Sequence, residues 1–404
     1  MMQLRALRRE LVQSVMRGTG CRRKFIISVR NVLRSLQQSS VSLQGYKLHV
    51  KSYRNQPIVI NVMNEITQLQ IEYDFLKILP TNNEVIHFEK LISLFRKFHP
   101  QKDAGFAVEF GNATKLLGRG KCFKLMMSSF DGTLTRSTTT LLGSVQPVYS
   151  AIVLATFARH CVDKAAVMSS VPLKDFGVLD ASTMPEGYCD FGGYNGQEWL
   201  IGLHRKSFDD TPKFSEEQRQ KMNELYRLTE KATRDKENEI FKIIGPGVTL
   251  YSCCLTATLQ DCYNSIPVSE SNRWCSKIKA MAAEIDKSED AFQMLDESHA
   301  LKILPKVPTG AVHCTKGDGV DRYLQTTELN ISAGKILVCG SSRGDVPLLE
   351  AVLHRTADNM CTVWVTSDPF LKQQVLDLLK DRCVNCCFVS CPEVLLAAMA
   401  NAVL

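Results

Sequence analysis

The stretch that decides the fold is Lys124–Ser137, "KLMMSSFDGTLTRS". A short apolar run ends abruptly in Asp131-Gly132, which is how a buried strand reads when it meets a tight turn. Working outward, "VYSAIVLATFARHC" reads as a helix and "KAAVMSS" as a second strand. Near the other end "KILVCGSS" is a strand and "DVPLLEAVLHRT" a helix, "CTVWVTS" and "NCCFVSC" are strands, and "PEVLLAAMANAVL" is a helix with Pro392 at its start. Strands alternating with helices predict an α/β fold with a parallel Rossmann-like sheet flanked by helices, with ligands at the carboxyl ends of the strands.

The rest of the chain does not share this grammar. Residues 1–100 read as a basic α-helical region. "NEITQLQIEYDFLKIL" and "NNEVIHFEKLISLFRKF" have helical spacing, with Asn82 or Asn83 as an N-cap and Pro100 as a stop. Residues 101–120 are polar and punctuated by glycine, and read as a linker. The core is expected over 121–173 and 313–404. The insert 174–312, with its aromatic, glycine-rich start and a charged helix near 215–241, is expected to form a separate α/β cap.

Composition is that of an ordinary globular chain, 45% hydrophobic and 23% charged over 404 residues. No apolar run is long enough for a membrane span, and arginines break up the first apolar residues, against a secretory signal. The net charge of +7 is uneven, because residues 1–55 carry twelve Lys/Arg against Glu10 alone, leaving −4 for the remainder. Leu4, Leu7, Leu11, Val12 and Val15 put a helix in this arm. It has four readings: a mitochondrial presequence, a contact with anionic membrane, a nucleic-acid arm, or a basic helix that is packed in a bundle or loosely ordered. The last is preferred, with no nucleic-acid partner. Fifteen cysteines scattered through apolar segments predict buried free thiols and a cytoplasmic protein, with mitochondrial targeting as the alternative. Cys383 and Cys386 lack the second pair that a zinc knuckle needs.

The order of four motifs carries the functional reading. Asp131-Gly132-Thr133 ends one strand, Ser169 ends the next, Lys316 stands in "HCTKGDGVDR" after the insert, and a late strand runs into Gly340-Ser341-Ser342-Arg343-Gly344-Asp345. This order resembles the haloacid-dehalogenase-like phosphatases. "FDGTL", "QPVYSAIVLATFA", "VPLKDFGVLDASTMP", "GGYNGQEWL", "TKGDGVDRYL", "GKILVCGSSRGDVPLLEAV" and "CCFVSCPEVLLAAM" resemble, more closely, the trehalose-6-phosphate phosphatases of nematode type, which also carry a helical domain before the phosphatase.

The resemblance implies a chemistry with definite needs. An aspartate attacks phosphorus, and a second Asp two residues on serves as acid and base. A hydroxyl and a lysine hold the phosphoryl oxygens, and magnesium sits on carboxylates and a backbone carbonyl. It implies the acid/base position for Asp131, phosphate binding for Ser169 and Lys316, and metal positions at the Asp131 carbonyl, Asp345 and Ser341. Asn195 and Glu198 are weaker candidates for contacts to the substrate in the cap. Two positions depart from this pattern. Ser129 stands at the nucleophile position and Ser341 at the main metal position. Loss of a nucleophile costs about 10⁴–10⁶ in rate. Compared with the family, "GPGVTLYSCCLTA" lacks the basic cap residues and "LKILPKVPTG" lacks the acidic sugar-binding ones.

Three readings follow. The first is a degenerate phosphatase that binds a sugar phosphate such as trehalose 6-phosphate, or regulates through its helical region, without a cofactor. The second is an active magnesium-dependent phosphatase in which Asp131, heading "DGTLT", is the nucleophile. The third is a structural protein that binds a partner or oligomerises through its helical region.

Overall fold

A computed structural model describes residues 2–18, 23–39, 47–51, 57–79, 86–138, 145–208, 215–251, 254–297, 299–306, 314–356 and 359–404. Asn82 and Asn83 lie outside them. The chain opens with α1 (Met2–Met16) and α2 (Arg23–Ser39). An antiparallel hairpin of β1 (Lys47–Lys51) and β2 (Pro57–Asn61) follows, an element not anticipated in the helical region. Then come α3 (Met63–Ile78), α4 (Phe88–Lys97) and α5 (Lys102–Leu117). The last of these corrects the linker reading. Phe106, Ala113 and Leu117 of α5 are buried, and the helix packs on the final helix of the chain.

The core begins with β3 (Phe123–Ser129), α6 (Val148–Cys161), β4 (Val162–Met168) and the short α7 (Val178–Ala181). The next strands, β5 (Asp190–Gly193), β6 (Glu198–Ile201) and β7 (His204–Ser207), extend the same sheet. Residues 190–207 therefore belong to the core, not to the cap as expected. Gly192 and Gly193 obscured this in the sequence. They are glycine because of packing: a Cβ at Gly192 would lie 2.9 Å from the Trp199 ring, and one at Gly193 2.5 Å from the Leu173 nitrogen.

The cap contains α8 (Glu216–Ala232), α9 (Ile240–Ile243), β8 (Val248–Leu250), β9 (Leu255–Thr258), α10 (Val268–Ile285), β10 (Phe292–Asp296) and β11 (Ala300–Pro305). Its four strands form an antiparallel sheet in the order β10-β11-β9-β8. The chain then returns to the core through α11 (Lys316–Thr327), β12 (Ile336–Gly340), α12 (Val346–Leu353), β13 (Met360–Val365), α13 (Pro369–Leu379), β14 (Asn385–Val389) and α14 (Pro392–Val403). The main sheet has eight strands in the order β14-β13-β12-β3-β4-β5-β6-β7. It is parallel from β14 to β5 and antiparallel beyond, so it is a mixed, mostly parallel sheet.

Helices α6 and α14 are apolar on nearly every face because both sides of each are covered. The sheet lies beneath, and the N-terminal region lies above, with α1 on α6 and both α4 and α5 on α14. Leu11, Val12, Phe25 and Phe95 share one core cluster with Ile152 and Leu395. The basic character of α1 is answered by the protein itself. Arg8, 3% exposed, bonds the Glu72 carboxylate and the Val145 carbonyl. Arg9 pairs with Glu186 at 2.7 Å, and Arg5 donates to the Ser182 carbonyl. The packed-helix reading of this arm is therefore the one the contacts bear out. Among the described residues no helix is long and apolar enough to cross a membrane, and the described cysteines are free thiols.

Candidate active site

Three neighbouring strands bring the motif residues to one edge. Ser129 ends β3, Ser169 follows β4, and Ser341 follows β12, and these strands are adjacent in the order β12-β3-β4. The turn after β3 needs Gly132, whose φ is +75° and whose missing Cβ would fall 2.8 Å from Ser341 Oγ. Lys316 opens α11, fixed there by a capping box in which Asp318 accepts from the Thr315 N–H at 2.7 Å and the Asp318 N–H donates to Thr315 Oγ1. Asp345 sits in the turn leading into α12.

Asp345 is the hub. Lys316 Nζ donates to its Oδ1 at 2.5 Å. Its Oδ2 accepts from the backbone N–H groups of Ser341 and Ser342, both at 2.9 Å, from Ser342 Oγ at 3.0 Å and from Ser129 Oγ at 3.1 Å. Burial works against ionisation here, yet Lys316 and the two N–H donors prevail and hold the Asp345 carboxyl below the usual carboxylate range. Ser129 Oγ also bonds Thr133 Oγ1 at 2.5 Å. Because the Ser129 proton goes to Asp345, Thr133 supplies the proton of that second bond. Ser129 thus has two partners and no effective base, since a carboxylate held low and paired to lysine accepts protons poorly.

Asp131 is different. It lines a cleft and is exposed there. Desolvation by the surrounding protein pushes its carboxyl up, opposed by Lys316 and by Ser169 and reinforced by Asp345. Ser169 Oγ donates to Asp131 Oδ2 at 3.5 Å, and Ser341 Oγ donates to the Asp131 carbonyl at 3.0 Å. The motif residues Ser129, Asp131, Ser169, Lys316, Ser341 and Asp345 therefore form one constellation.

The two weaker candidates part company. Asn195 lines a lobe adjoining the cleft, and its Nδ2 donates to the Cys314 carbonyl at 3.0 Å. Glu198 instead accepts from the Leu173 N–H and from Arg205, both at 3.4 Å, and is not among the cleft's lining residues. Strand β6 spends it on its own neighbourhood.

The cleft, about 940 Å³, has walls that sequence reasoning did not find. Met63 and Asn64 of α3 line it, with Asn64 donating to the Ser137 carbonyl at 2.7 Å and accepting from Arg136 at 3.3 Å. Tyr263, Glu297 and His299 face it from the cap. Glu297 pairs with Lys302 at 2.7 Å, and Lys302 lines an adjoining lobe. The cap thus brings a paired carboxylate and ammonium to this face. The uncharged "GPGVTLYSCCLTA" segment instead supplies cap core through Leu255 and Ala257, both fully buried.

Comparison with known proteins fits this arrangement. The family model described as "Trehalose-6-phosphate phosphatase, C-terminal" matches residues 126–395, and the model of the family's N-terminal helical bundle domain matches residues 1–93. The chain belongs to the trehalose-6-phosphate phosphatase family. Trehalose-phosphatase of Caenorhabditis elegans is 26% identical over 358 residues, 85% of this chain and 80% of that one. The UDP-forming alpha,alpha-trehalose-phosphate synthase 2 of Aphelenchoides avenae is 31% identical over 407 residues, 100% of this chain and 31% of that one. The chain spans about a third of the length of such synthases. Among solved structures, the C-terminal domain of C. albicans trehalose-6-phosphate phosphatase is similar at 11% identity and a TM-score of 0.45, over 74% of this chain and 96% of that one.

Phosphatases of this superfamily typically use magnesium, so the donor set can be tested for fit. Magnesium wants near-octahedral oxygen ligands, including one or two carboxylates. Here Ser341 presents a hydroxyl that is already donated to the Asp131 carbonyl. Both Asp345 oxygens accept hydrogen bonds from protein groups. Among the described residues no group of three His, Cys, Asp or Glu could hold a metal ion. The residues present do not fit such a centre.

Proposed function

We propose that this chain is a family member that binds a sugar phosphate such as trehalose 6-phosphate without hydrolysing it, serving as a binding or regulatory module. The observation that carries this is the environment of Ser129. At the position where the family chemistry wants an ionised nucleophile, a neutral hydroxyl is bonded to Thr133 and to an Asp345 already paired with Lys316. The cleft keeps groups suited to a phosphate ester, Lys316 and Ser169, and polar side chains suited to a sugar, Asn195, Glu297 and His299. A protein partner on the outer surface of the helical region would be compatible with this role, since its apolar faces are taken by α6 and α14.

The test pairs binding with turnover. Calorimetry with trehalose 6-phosphate is expected to show binding, while phosphate release with magnesium falls at least about 10⁴-fold below an active family member. The double change Ser129→Asp, Ser341→Asp is expected to gain phosphate release. Release by the unmodified chain at an ordinary family rate would overturn the reading.

One observation favours a second reading. Asp131 is the motif carboxylate open to the cleft, so it could itself attack phosphorus. In that case beryllofluoride would trap on the protein, and Asp131→Asn would abolish both trapping and turnover. Absence of any binding would leave the third reading, a structural protein without a small-molecule site.

A further inference from the structure

We propose that the cleft takes a phosphate monoester without a divalent cation, because hydroxyl groups and the Lys316 ammonium have closed the place a cation would need. This rests on the binding reading above and adds to it the state in which binding occurs.

Three oxygens at that place are already taken. The Asp131 carbonyl accepts the Ser341 hydroxyl at 3.0 Å. Asp345 Oδ2 is approached by two N–H groups and two hydroxyls, whose positive ends all point where a cation would approach. Asp345 Oδ1 carries the Lys316 ammonium at 2.5 Å. A cation would have to displace hydrogen bonds at each of these oxygens. It would recover one open carboxylate, Asp131, and that group is not enough for a hard ion that favours several oxygens held rigidly.

Charge leads to the same conclusion. Two aspartates at positions 129 and 341 would bring −2, and a magnesium ion +2. Two serines and no ion bring zero to the same volume. The dianion of a phosphate ester therefore meets the same net charge in either case, although a contacting ion would have supplied more attraction at short range. Losing the carboxylates alone would instead leave an ion in surplus. The cleft supplies donors for the ester. An ammonium carries three N–H donors, of which Asp345 takes one. Ser169 brings a buried hydroxyl whose one proton, on Asp131 Oδ2 at a long 3.5 Å, would turn from that carboxylate to the ester.

The experiment uses the full chain, stripped of metal. Trehalose 6-phosphate is titrated by calorimetry in EDTA and again in excess magnesium, and Mn²⁺ uptake is followed separately by the loss of its free-ion paramagnetic resonance signal. The expected result is an affinity equal within about threefold in the two conditions, a difference under one kilocalorie-scale step of binding. No saturable Mn²⁺ uptake is expected in the unmodified chain. The variant Ser129→Asp, Ser341→Asp should take up Mn²⁺ at least about 100-fold more tightly, as ligand charge and number rise. A thermal melt controls for its folding, and the unmodified chain's Mn²⁺ titration decides the point if the variant does not fold. Binding that needs magnesium, or tight Mn²⁺ uptake by the unmodified chain, overturns this inference and leaves the binding function intact. No binding in either condition overturns both.

Discussion

Removing the Arg8 guanidinium tests how the N-terminal region is held. Arg8 Nε and Nη2 both donate to Glu72 Oε2, Nη1 donates to the Val145 carbonyl, and Glu72 Oε1 accepts the Val148 N–H at the start of α6. Both residues are buried, with Arg8 3% and Glu72 0% exposed. In Arg8→Met the apolar stem is kept and the charge is lost, leaving a buried carboxylate with one backbone donor. Breaking a buried pair from one side costs about 3–5 kcal/mol. In the double variant Arg8→Met, Glu72→Gln the stranded charge is gone while an amide oxygen can still receive the Val148 N–H, so at least about half of that loss should return. The assay is urea denaturation of both variants, with hydrogen exchange reporting α1 and the first turn of α6. A loss below about 1 kcal/mol in Arg8→Met, the scale of a surface ion pair, would refute the buried-anchor argument. An equal loss in single and double variants would refute the explanation by stranded charge.

Other substitutions probe the cap and the site. Trp274, fully buried and stacked on Phe241 with ring centroids 5.6 Å apart, anchors the cap; Trp274→Ala should cost about 3–5 kcal/mol in thermal unfolding of that part. Gly132→Ala should cost at least about 1–2 kcal/mol from its left-handed backbone alone, and should weaken trehalose 6-phosphate binding measured by calorimetry, because its Cβ would displace Ser341 Oγ. Lys316→Met strands Asp345 and should cost about 3–5 kcal/mol at neutral pH. Asp345 has a depressed folded pKa, so its stabilising contribution is present above about pH 4 and is lost as pH falls through its folded value. A melt series against pH should therefore show the acid-labile stability of the unmodified chain reduced in Lys316→Met.

The parts of this fold legible in the sequence were those where one local rule decides the outcome. Helix α6 lies where its apolar run placed it, and Pro392 starts α14 as its fixed φ favours. The motif residues met because strand ends in a parallel sheet share an edge. The misreadings came from residues whose type is set by the side chains packed against them. Helix α5 looked like a linker because of Gly105 and Gly111, yet a Cβ at Gly105 would lie 2.5 Å from Gln101 Cβ. Its glycine answers close packing and not a turn. Glu198 carried no local sign of Arg205 and Leu173 as its partners. Met63, Asn64 and Tyr263 reach the cleft only through docking of the helical region and cap, which no spacing reports.

The cleft's walls carry a consequence for how the molecule comes together. They are drawn from chain positions as far apart as Met63, Asp131, Tyr263, Ser341 and Ser390. No contiguous stretch can build this pocket alone, so it closes only after the first helices, the inserted cap and the last strand have all settled. A ligand held there ties the stability of these parts together, since whatever binds only the assembled form adds its binding free energy to every interface that form requires. Occupancy of the pocket would then act as a single latch across three regions that the sequence presents as separate.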